Sequence, residues 1–266
     1  MKCYVINLEG SSDRLRWFTE QEPLSGIEIL RVPAINGSHL EQEERMTLME
    51  RRRSDYPVPA GVLGCFLSHR RAWEWVSDNE DQWAFVTEDD AHIFKDAKMF
   101  FESTDWIPDD ADIVKAETSQ EVTELSARSM PAKGTFRLRK LKAAHRNTAG
   151  YFIGRDTARR LLHLTASYCD PIDEVLFNPD LGISSNLMIY QLDPAICIQD
   201  NDAPGRIGFE QTIIRKQEPE PRTPMPFGIK KVVREIRRIY RRKIRPRFLQ
   251  RLQISLFKKV PFAGDP

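Results

Sequence analysis

The chain has 266 residues, 41% hydrophobic and 30% charged, a composition that excludes disordered, collagen-like and integral-membrane proteins. The net charge of +1 hides a segregation of charge, because residues 228–266 carry 13 Lys and Arg against two acidic residues, whereas residues 1–227 carry 27 against 37. A basic terminal segment of this kind predicts an anionic partner that the rest of the chain does not bind.

Three further features bear on location and redox state. No apolar run approaches the roughly 20 residues that cross a bilayer, and the N-terminal segment turns polar too early for a signal peptide. We therefore expect a cytoplasmic protein. The four cysteines are scattered without a short Cys-x-x-Cys pair, so they are expected to be reduced thiols in the core.

The predicted elements alternate between strands and helices. Strands are expected over 2–8, 27–32, 83–87, 111–116, 136–141, 151–153, 187–192 and 195–198. Helices are expected over 14–21, 40–53 and 155–164, and apolar residues at three- and four-residue spacing predict another over 62–76. This alternation predicts an α/β sheet with helices on both faces and ligands at the carboxyl ends of its strands.

The end of the chain differs in composition from the rest. Residues 1–216 are expected to form one domain, and residues 217–227 are rich in Pro and Glu, which is typical of a linker. Residues 228–266 form the expected basic C-terminal extension, with an amphipathic helix over 228–245 that ends at Pro246. A chain ending at Pro226 is accordingly expected to fold.

Three adjacent carboxylates, Glu88, Asp89 and Asp90, follow the apolar strand 83–87. They repel one another unless a cation or solvent spreads the charge, and in an extended chain Glu88 and Asp90 share one side. Two converging oxygen donors suit a hard cation such as Mn²⁺ or Mg²⁺. The alternatives are a solvated acidic loop, or a helix over 91–94 with Asp90 as its cap.

Several segments in order resemble glycosyltransferase family 25, which contains lipooligosaccharide galactosyltransferases and collagen galactosyltransferases. They are Tyr4-Val-Ile-Asn-Leu8 with Asp13-Arg14, Arg31-Val-Pro-Ala-Ile-Asn-Gly37, Gly61-Val-Leu-Gly-Cys-Phe-Leu-Ser-His69, Phe85-Val-Thr-Glu-Asp-Asp90, Thr148-Ala-Gly-Tyr-Phe-Ile153 and Asp170-Pro-Ile-Asp173. The Gly-x-x-Gly-Cys-x-x-Ser-His match is the most specific of these, and the likeness spans residues 2–199.

The resemblance implies a GT-A type, Rossmann-like fold, a UDP-sugar donor, a divalent metal and inversion at the anomeric carbon. It places Glu88 and Asp90 on the metal. Departure of UDP develops negative charge that the metal offsets, and a carboxylate must take the proton of the attacking hydroxyl. Asp173 and Glu174 are the candidate bases, although both also suit the start of a helix as ordinary complements to its dipole.

The donor site is expected to use residues from four segments: Asn7, Leu8 and Arg14, then Ala34, Asn36 and Gly37, then Ser68 and His69, and Asp89. Arg14 is expected to reach a phosphate, or else to be a solvated helix residue. His69 interrupts an apolar helix face, so a hydrogen-bonded core histidine is the alternative to a donor-site role. Gly37 is otherwise an ordinary turn glycine.

The leading hypothesis is an inverting, metal-dependent transferase that moves a hexose, galactose from UDP-galactose, to a lipopolysaccharide or lipooligosaccharide acceptor. It is expected to act at the cytoplasmic membrane face, with residues 228–245 on the anionic surface, because apolar residues oppose the basic ones. The alternatives are a nucleic-acid-binding protein that uses the arginine-rich segment, and a non-catalytic sugar-binding relative.

Overall fold

A computed structural model of the chain describes residues 1–50, 52, 58–209 and 254–264. The helices are α1 (Ser12–Thr19), α2 (Gln42–Met49), α3 (Ala60–Ser77), α4 (Arg155–Leu164) and α5 (Ile172–Phe177). The strands are β1 (Cys3–Asn7), β2 (Ile29–Pro33), β3 (Trp83–Glu88), β4 (Ala91–Ile93), β5 (Ile113–Lys115), β6 (Val122–Ser126), β7 (Met130–Pro131), β8 (Arg137–Lys140), β9 (Gly150–Gly154), β10 (Ile189–Asp193), β11 (Cys197–Gln199) and β12 (Ser255–Lys259).

Eight strands form one central sheet in the order β2-β1-β3-β9-β5-β10-β8-β7. β1 runs parallel to both β2 and β3, whereas β9 runs antiparallel to its neighbours β3 and β5. Because β1, β2 and β3 are parallel neighbours, their carboxyl ends meet at one edge of the sheet. The loops after these three strands are therefore brought together there.

The sheet is buried on both faces by helices and turns, as the alternation of elements predicted. Tyr4 and Ile6 of β1 join a core with α3, α4 and α5, whereas the alternate residues Cys3 and Val5 join a core with α1 and residues 97–107. This alternation follows from the two-residue period of a strand. Among the described residues, no helix is long and apolar enough to cross a bilayer.

The last described residues belong to the body of the molecule. β12 pairs antiparallel with β6, and Val260 beyond it is fully buried. The hydroxyl of Thr118 donates to the carbonyl of Val260 (2.6 Å), and Lys258 forms an ion pair with Asp193 (2.8 Å).

This arrangement changes the expected boundary at residue 228. Residues 254–264 are not part of a separate extension, since strand pairing joins them to the body. The expected linker over 217–227 and the expected helix over 228–245 lie outside the described residues.

Four strands were not predicted from the sequence, namely β4, β6, β7 and β12. β4 covers residues for which the sequence also allows a helix capped by Asp90, and it pairs with β11 instead. The helix-cap alternative for Asp90 is therefore wrong. Glu88 is the last residue of β3, and Asp89 and Asp90 form the connection to β4, at the carboxyl edge of the sheet.

Candidate functional site

An open cavity of about 90 Å³ lies at the carboxyl ends of β1, β2 and β3. Eight of the nine residues predicted for the donor site line it, namely Leu8, Arg14, Ala34, Asn36, Gly37, Ser68, His69 and Asp89. Glu88 lines it as well, and Ile6, Ile35, Gly61 and Cys65 complete the wall. The ninth predicted residue, Asn7, does not line the cavity, and its side-chain amide donates a hydrogen bond to Asp89 (2.6 Å).

The loop after β2 lies directly against α3, with almost no space between the two backbones. A Cβ atom on Gly37 would overlap the carbonyl of Ala60, and one on Gly64 would lie 2.6 Å from the nitrogen of Gly37. Ser68 stabilises this contact between the loop and α3, because its hydroxyl donates to the carbonyl of Gly64 (2.6 Å) and accepts from the N–H of Ile35 (2.8 Å). Gly37 is therefore required by close approach rather than by a turn.

The guanidinium of Arg14 pairs with the carboxylates of the acidic residues that follow β3, so it is not free in the cavity. Its guanidinium forms an ion pair with Asp89 and lies 3.4 Å from Asp90, and the side chain is almost fully buried. The solvated-helix alternative for Arg14 is wrong. Burial raises the pKa of Asp89 to about 6, although Arg14 and Asn7 oppose that rise.

Two side chains from distant parts of the fold donate hydrogen bonds to Glu88, and His69 lies beside it. The hydroxyl of Thr148 donates to it (2.6 Å), the amide of Gln199 donates to it (3.3 Å), and His69 Nε2 lies 3.5 Å from its Oε1. Burial disfavours its charge, but His69, Thr148 and Arg14 together lower the pKa of Glu88 below its ordinary value. Glu88 is thus positioned as a carboxylate.

Asp90 retains an unused oxygen. Burial, and next the charge of Glu88, raise the pKa of Asp90 to about 7, and its Oδ1 is buried without a hydrogen-bond partner in the described part of the chain. A buried carboxylate with an orphan oxygen beside a second carboxylate fits a divalent cation with oxygen ligands. Glu88 and Asp90 therefore suit the Mn²⁺ or Mg²⁺ that the sequence predicts.

A second group of potential ligands adjoins the cavity. Cys65, His69 and Glu88 each offer one ligand atom, and these atoms all lie within 4.8 Å of one another. Burial, Glu88 and Asp173 raise the pKa of the Cys65 thiol. All four cysteines are described and are free thiols, as expected, but Cys65 alone of the four lines this cavity.

The two candidate bases lie outside the wall of the cavity and differ in their surroundings. Asp173 is partly exposed and accepts from the backbone N–H groups of Asn147 (3.3 Å) and Glu174 (2.9 Å). Glu174 is buried against the amide of Asn178, and burial raises its pKa. The residue after Asn147 is Thr148, whose hydroxyl donates to Glu88. The pair 147–148 therefore connects Asp173 to Glu88.

Sequence reasoning missed three contributors to this site. Thr148 and Gln199 carry no chemical signal of their own, since their role comes from reaching Glu88 across 60 and 111 residues of chain. Cys65 could have been found, because Cys65 and His69 are four residues apart on a predicted helix and so share one face.

Comparisons with known proteins identify the family of the chain. A family model described as "Glycosyltransferase family 25 (LPS biosynthesis protein)" matches residues 1–176. The chain is 28% identical over 211 residues to the lacto-N-neotetraose biosynthesis glycosyltransferase LgtB of Neisseria gonorrhoeae, which covers 75% of each chain.

Two other relatives match over shorter parts. The lipooligosaccharide biosynthesis protein lex-1 of Haemophilus influenzae is 28% identical over 54% of this chain and 50% of its own length. Procollagen galactosyltransferase 2 of Mus musculus is 30% identical over 60% of this chain and 27% of its own. The chain therefore spans half the length of lex-1 and about a quarter of the length of procollagen galactosyltransferase 2.

Proposed function

Because the chain belongs to glycosyltransferase family 25, we propose that it transfers a hexose from a nucleotide sugar to a lipopolysaccharide-type or lipooligosaccharide-type acceptor. Galactose from UDP-galactose is the proposed donor, since relatives with partial matches are procollagen galactosyltransferases and LgtB, a lacto-N-neotetraose biosynthesis glycosyltransferase. The mixed α/β architecture with one large central sheet is consistent with a Rossmann-like transferase.

The main support for this function is the cavity at the carboxyl ends of β1, β2 and β3, which is lined by Glu88 and Asp89. The loop of Ala34, Asn36 and Gly37 offers a surface for the uracil and ribose, and it is held rigidly against α3 by Ser68. A rigid loop supports affinity because little entropy is lost when the nucleotide binds.

The charged residues of the site have separate proposed roles in binding the cation and the phosphates of the donor. When bound by Glu88 and Asp90, a divalent cation supplies positive charge beside the diphosphate of the donor. Arg14 keeps Asp89 ionised and adds positive charge at the same edge, and its buried Nε has no hydrogen-bond partner among the described residues. An oxygen of the donor phosphate is the proposed partner of that Nε.

Asp173 is the proposed general base, with Glu174 as the second candidate. The acceptor hydroxyl attacks the anomeric carbon, the bond from that carbon to the diphosphate oxygen breaks, and the hydroxyl proton passes to the carboxylate. Attack on the face opposite UDP inverts the anomeric carbon. The connection from Asp173 through residues 147–148 to Glu88 supports this assignment, because it fixes the base relative to the donor end of the site.

A screen of UDP-sugars for UDP release, with and without Mn²⁺ or Mg²⁺, tests the proposal. We expect release from UDP-galactose that depends on the cation. Asp90→Asn should lower turnover by at least about 100-fold and leave the circular dichroism spectrum unchanged. Asp156→Asn, at an exposed position on α4, is the matched control and should keep full turnover. Full turnover in EDTA would contradict the role of the cation.

We also propose that residues 228–245 bind the anionic inner face of the cytoplasmic membrane and bring the site near a lipid-linked acceptor. Eight basic residues on one side of the predicted helix contribute on the order of 1 kcal/mol each near such a surface, reduced by salt. Replacing Arg237, Arg238, Arg241 and Arg242 by Gln should abolish sedimentation with phosphatidylserine vesicles at low salt. Unchanged sedimentation would refute the membrane role.

A further inference from the structure

α3 and β3 bring a sulfur, a nitrogen and an oxygen ligand together at the cavity wall. Cys65 and His69 are four residues apart in α3, so their side chains lie on one face of the helix. Glu88 ends β3 and faces them, and the three ligand atoms lie within 4.8 Å of one another. Residues on two separate elements thus converge on one point.

The histidine has an unused nitrogen at that point. His69 is fully buried, and its Nε2 has no hydrogen-bond partner within the described part of the chain, with Glu88 Oε1 3.5 Å away. Its other nitrogen, Nδ1, lies 2.9 Å from the hydroxyl of Tyr151, which also accepts from the indole N–H of Trp73 (2.8 Å).

This hydrogen bonding resembles the support of a metal-bound histidine. If Nδ1–H and the Trp73 N–H both donate to Tyr151, they fill both lone pairs of its oxygen, and the lone pair of His69 Nε2 is left facing Cys65 and Glu88. Metal-ligating histidines usually donate their second N–H in this way, which fixes the orientation of the ring.

We propose that Cys65, His69 and Glu88 form a binding site for Zn²⁺. Thiolate and imidazole ligands favour zinc over Mg²⁺ or Mn²⁺, which prefer oxygen. Ligand atoms around tetrahedral zinc are about 3–4 Å apart, so shifts on the order of 1 Å complete the geometry. The Cys65 thiol loses its proton to solvent as the sulfur–zinc bond forms, and the fourth position opens to the cavity.

The site shares Glu88 with the oxygen pair assigned above to Mn²⁺ or Mg²⁺. Zinc bound at Cys65 and His69 withdraws Glu88 from Asp90, and it occupies the wall of the donor cavity. Zinc is therefore an inhibitor of the transfer reaction, a consequence that rests on the proposed function. The existence of the site itself does not depend on that function.

Cobalt reports the site directly, because a thiolate bound to Co²⁺ gives a near-ultraviolet charge-transfer band. Metal-free full-length protein is titrated with Co²⁺ under reducing conditions, without a donor, so the result stands even if no UDP-sugar is a substrate. We expect the band in the unaltered protein, its loss on adding Zn²⁺, which binds more tightly than cobalt, and its persistence in excess Mg²⁺.

Two variants and a control decide the assignment. Cys65→Ser and Cys65→Ala should lack the band and bind Zn²⁺ at least about tenfold more weakly. Cys169→Ser, which changes a buried thiol that does not line the cavity, should keep both properties. A band that survives in either Cys65 variant, or no band in the reduced unaltered protein, would overturn the proposal, provided that thermal melting shows each protein to be folded.

Discussion

The carboxylate of Asp173 is the candidate base whose surroundings allow proton transfer, since it is partly exposed and held by two backbone N–H groups. We predict that Asp173→Asn lowers kcat by at least about 100-fold with little change in donor affinity, because a base acts on the transition state. The measurement is a comparison of kcat with the Kd for UDP.

The neighbouring carboxylate provides the matched control. Glu174→Gln should keep most of kcat, since Glu174 is buried and its amide partner Asn178 remains available to the glutamine oxygen. The reverse pattern, with Asp173→Asn active and Glu174→Gln inactive, would assign the base to Glu174.

His145 makes the stability of the fold depend on pH. Its Nδ1 lies 2.8 Å from Gln191 Oε1, and its Nε2 accepts from the N–H of Ser119 (3.4 Å), so the neutral ring is satisfied. Burial, and next the charge of Lys115, lower the pKa of His145 from 6.5 to about 3. Between these values the unfolded chain binds a proton that the folded chain does not, so stability falls as the pH falls.

We predict that this histidine removes about 2 kcal/mol from the free energy of unfolding between pH 7 and pH 5. His145→Gln should lose that part of the pH dependence, as measured by urea unfolding at the two pH values. His163→Gln, at an exposed position on α4, should behave like the unaltered protein. An identical pH dependence in His145→Gln would contradict the prediction.

The residues of the candidate site could be predicted where the chain itself brings them together. Leu8 and Ala34 follow two strands and Glu88 ends a third, and parallel pairing places strand ends side by side. The ion pair of Arg14 with Asp89 could not be predicted, because many carboxylates in the sequence were equally plausible partners. The support of Glu88 by Thr148 depends on the antiparallel placement of β9, which the pattern of residues does not specify.

Among the elements, α3 depends on a glycine at its contact with the loop after β2. A Gly→Ala change inside a helix usually stabilises it by about 1 kcal/mol. At Gly64 we predict the opposite sign, a loss of about 1–3 kcal/mol, because the new Cβ would overlap the carbonyl of Ile35 and crowd Gly37. Chemical unfolding measures the loss, and weaker UDP binding should accompany it.

Gly154, at the start of α4, is the matched control for this prediction. A Cβ atom there meets nothing closer than 3.6 Å, so Gly154→Ala should cost less than Gly64→Ala and leave UDP binding unchanged. Equal stability of the Gly64→Ala variant and the unaltered protein would show that the loop shifts away freely.

The elements that sequence patterns missed have a common physical reason. β4 has three residues, too few to display a period of two, and β6 and β12 are partners separated by more than 120 residues. A strand whose pairing lies far away in sequence carries little local signal. α4, by contrast, was predicted at both ends, because its apolar face repeats over ten residues.

The strand β12 changes the expected effect of truncating the chain. The sequence predicts that a chain ending at Pro226 folds, but this shorter chain lacks β12 and leaves the site of Val260 empty. We now predict that it loses several kcal/mol of stability, since it loses a paired strand and buried apolar area. Urea unfolding of the truncated and full chains measures the difference.

A substitution separates the stability lost with β12 from any effect of losing the basic segment. Val260→Ala in the full chain removes only buried contacts and should give a smaller loss in the same direction. The four-Arg variant described above should unfold like the unaltered protein. A truncated chain as stable as the full chain would mean that β12 contributes nothing to the fold.

The pairing of β12 with β6 also bears on how the molecule sits at a surface. Phe209, which contacts Trp17 of α1, and Ser255, which bonds to Glu124 of β6, fix both ends of the intervening chain to the body. With a single attachment, the body would rotate freely about that point. If the intervening chain binds a bilayer as proposed, its two attachments restrict the tumbling of the body more than a single attachment does.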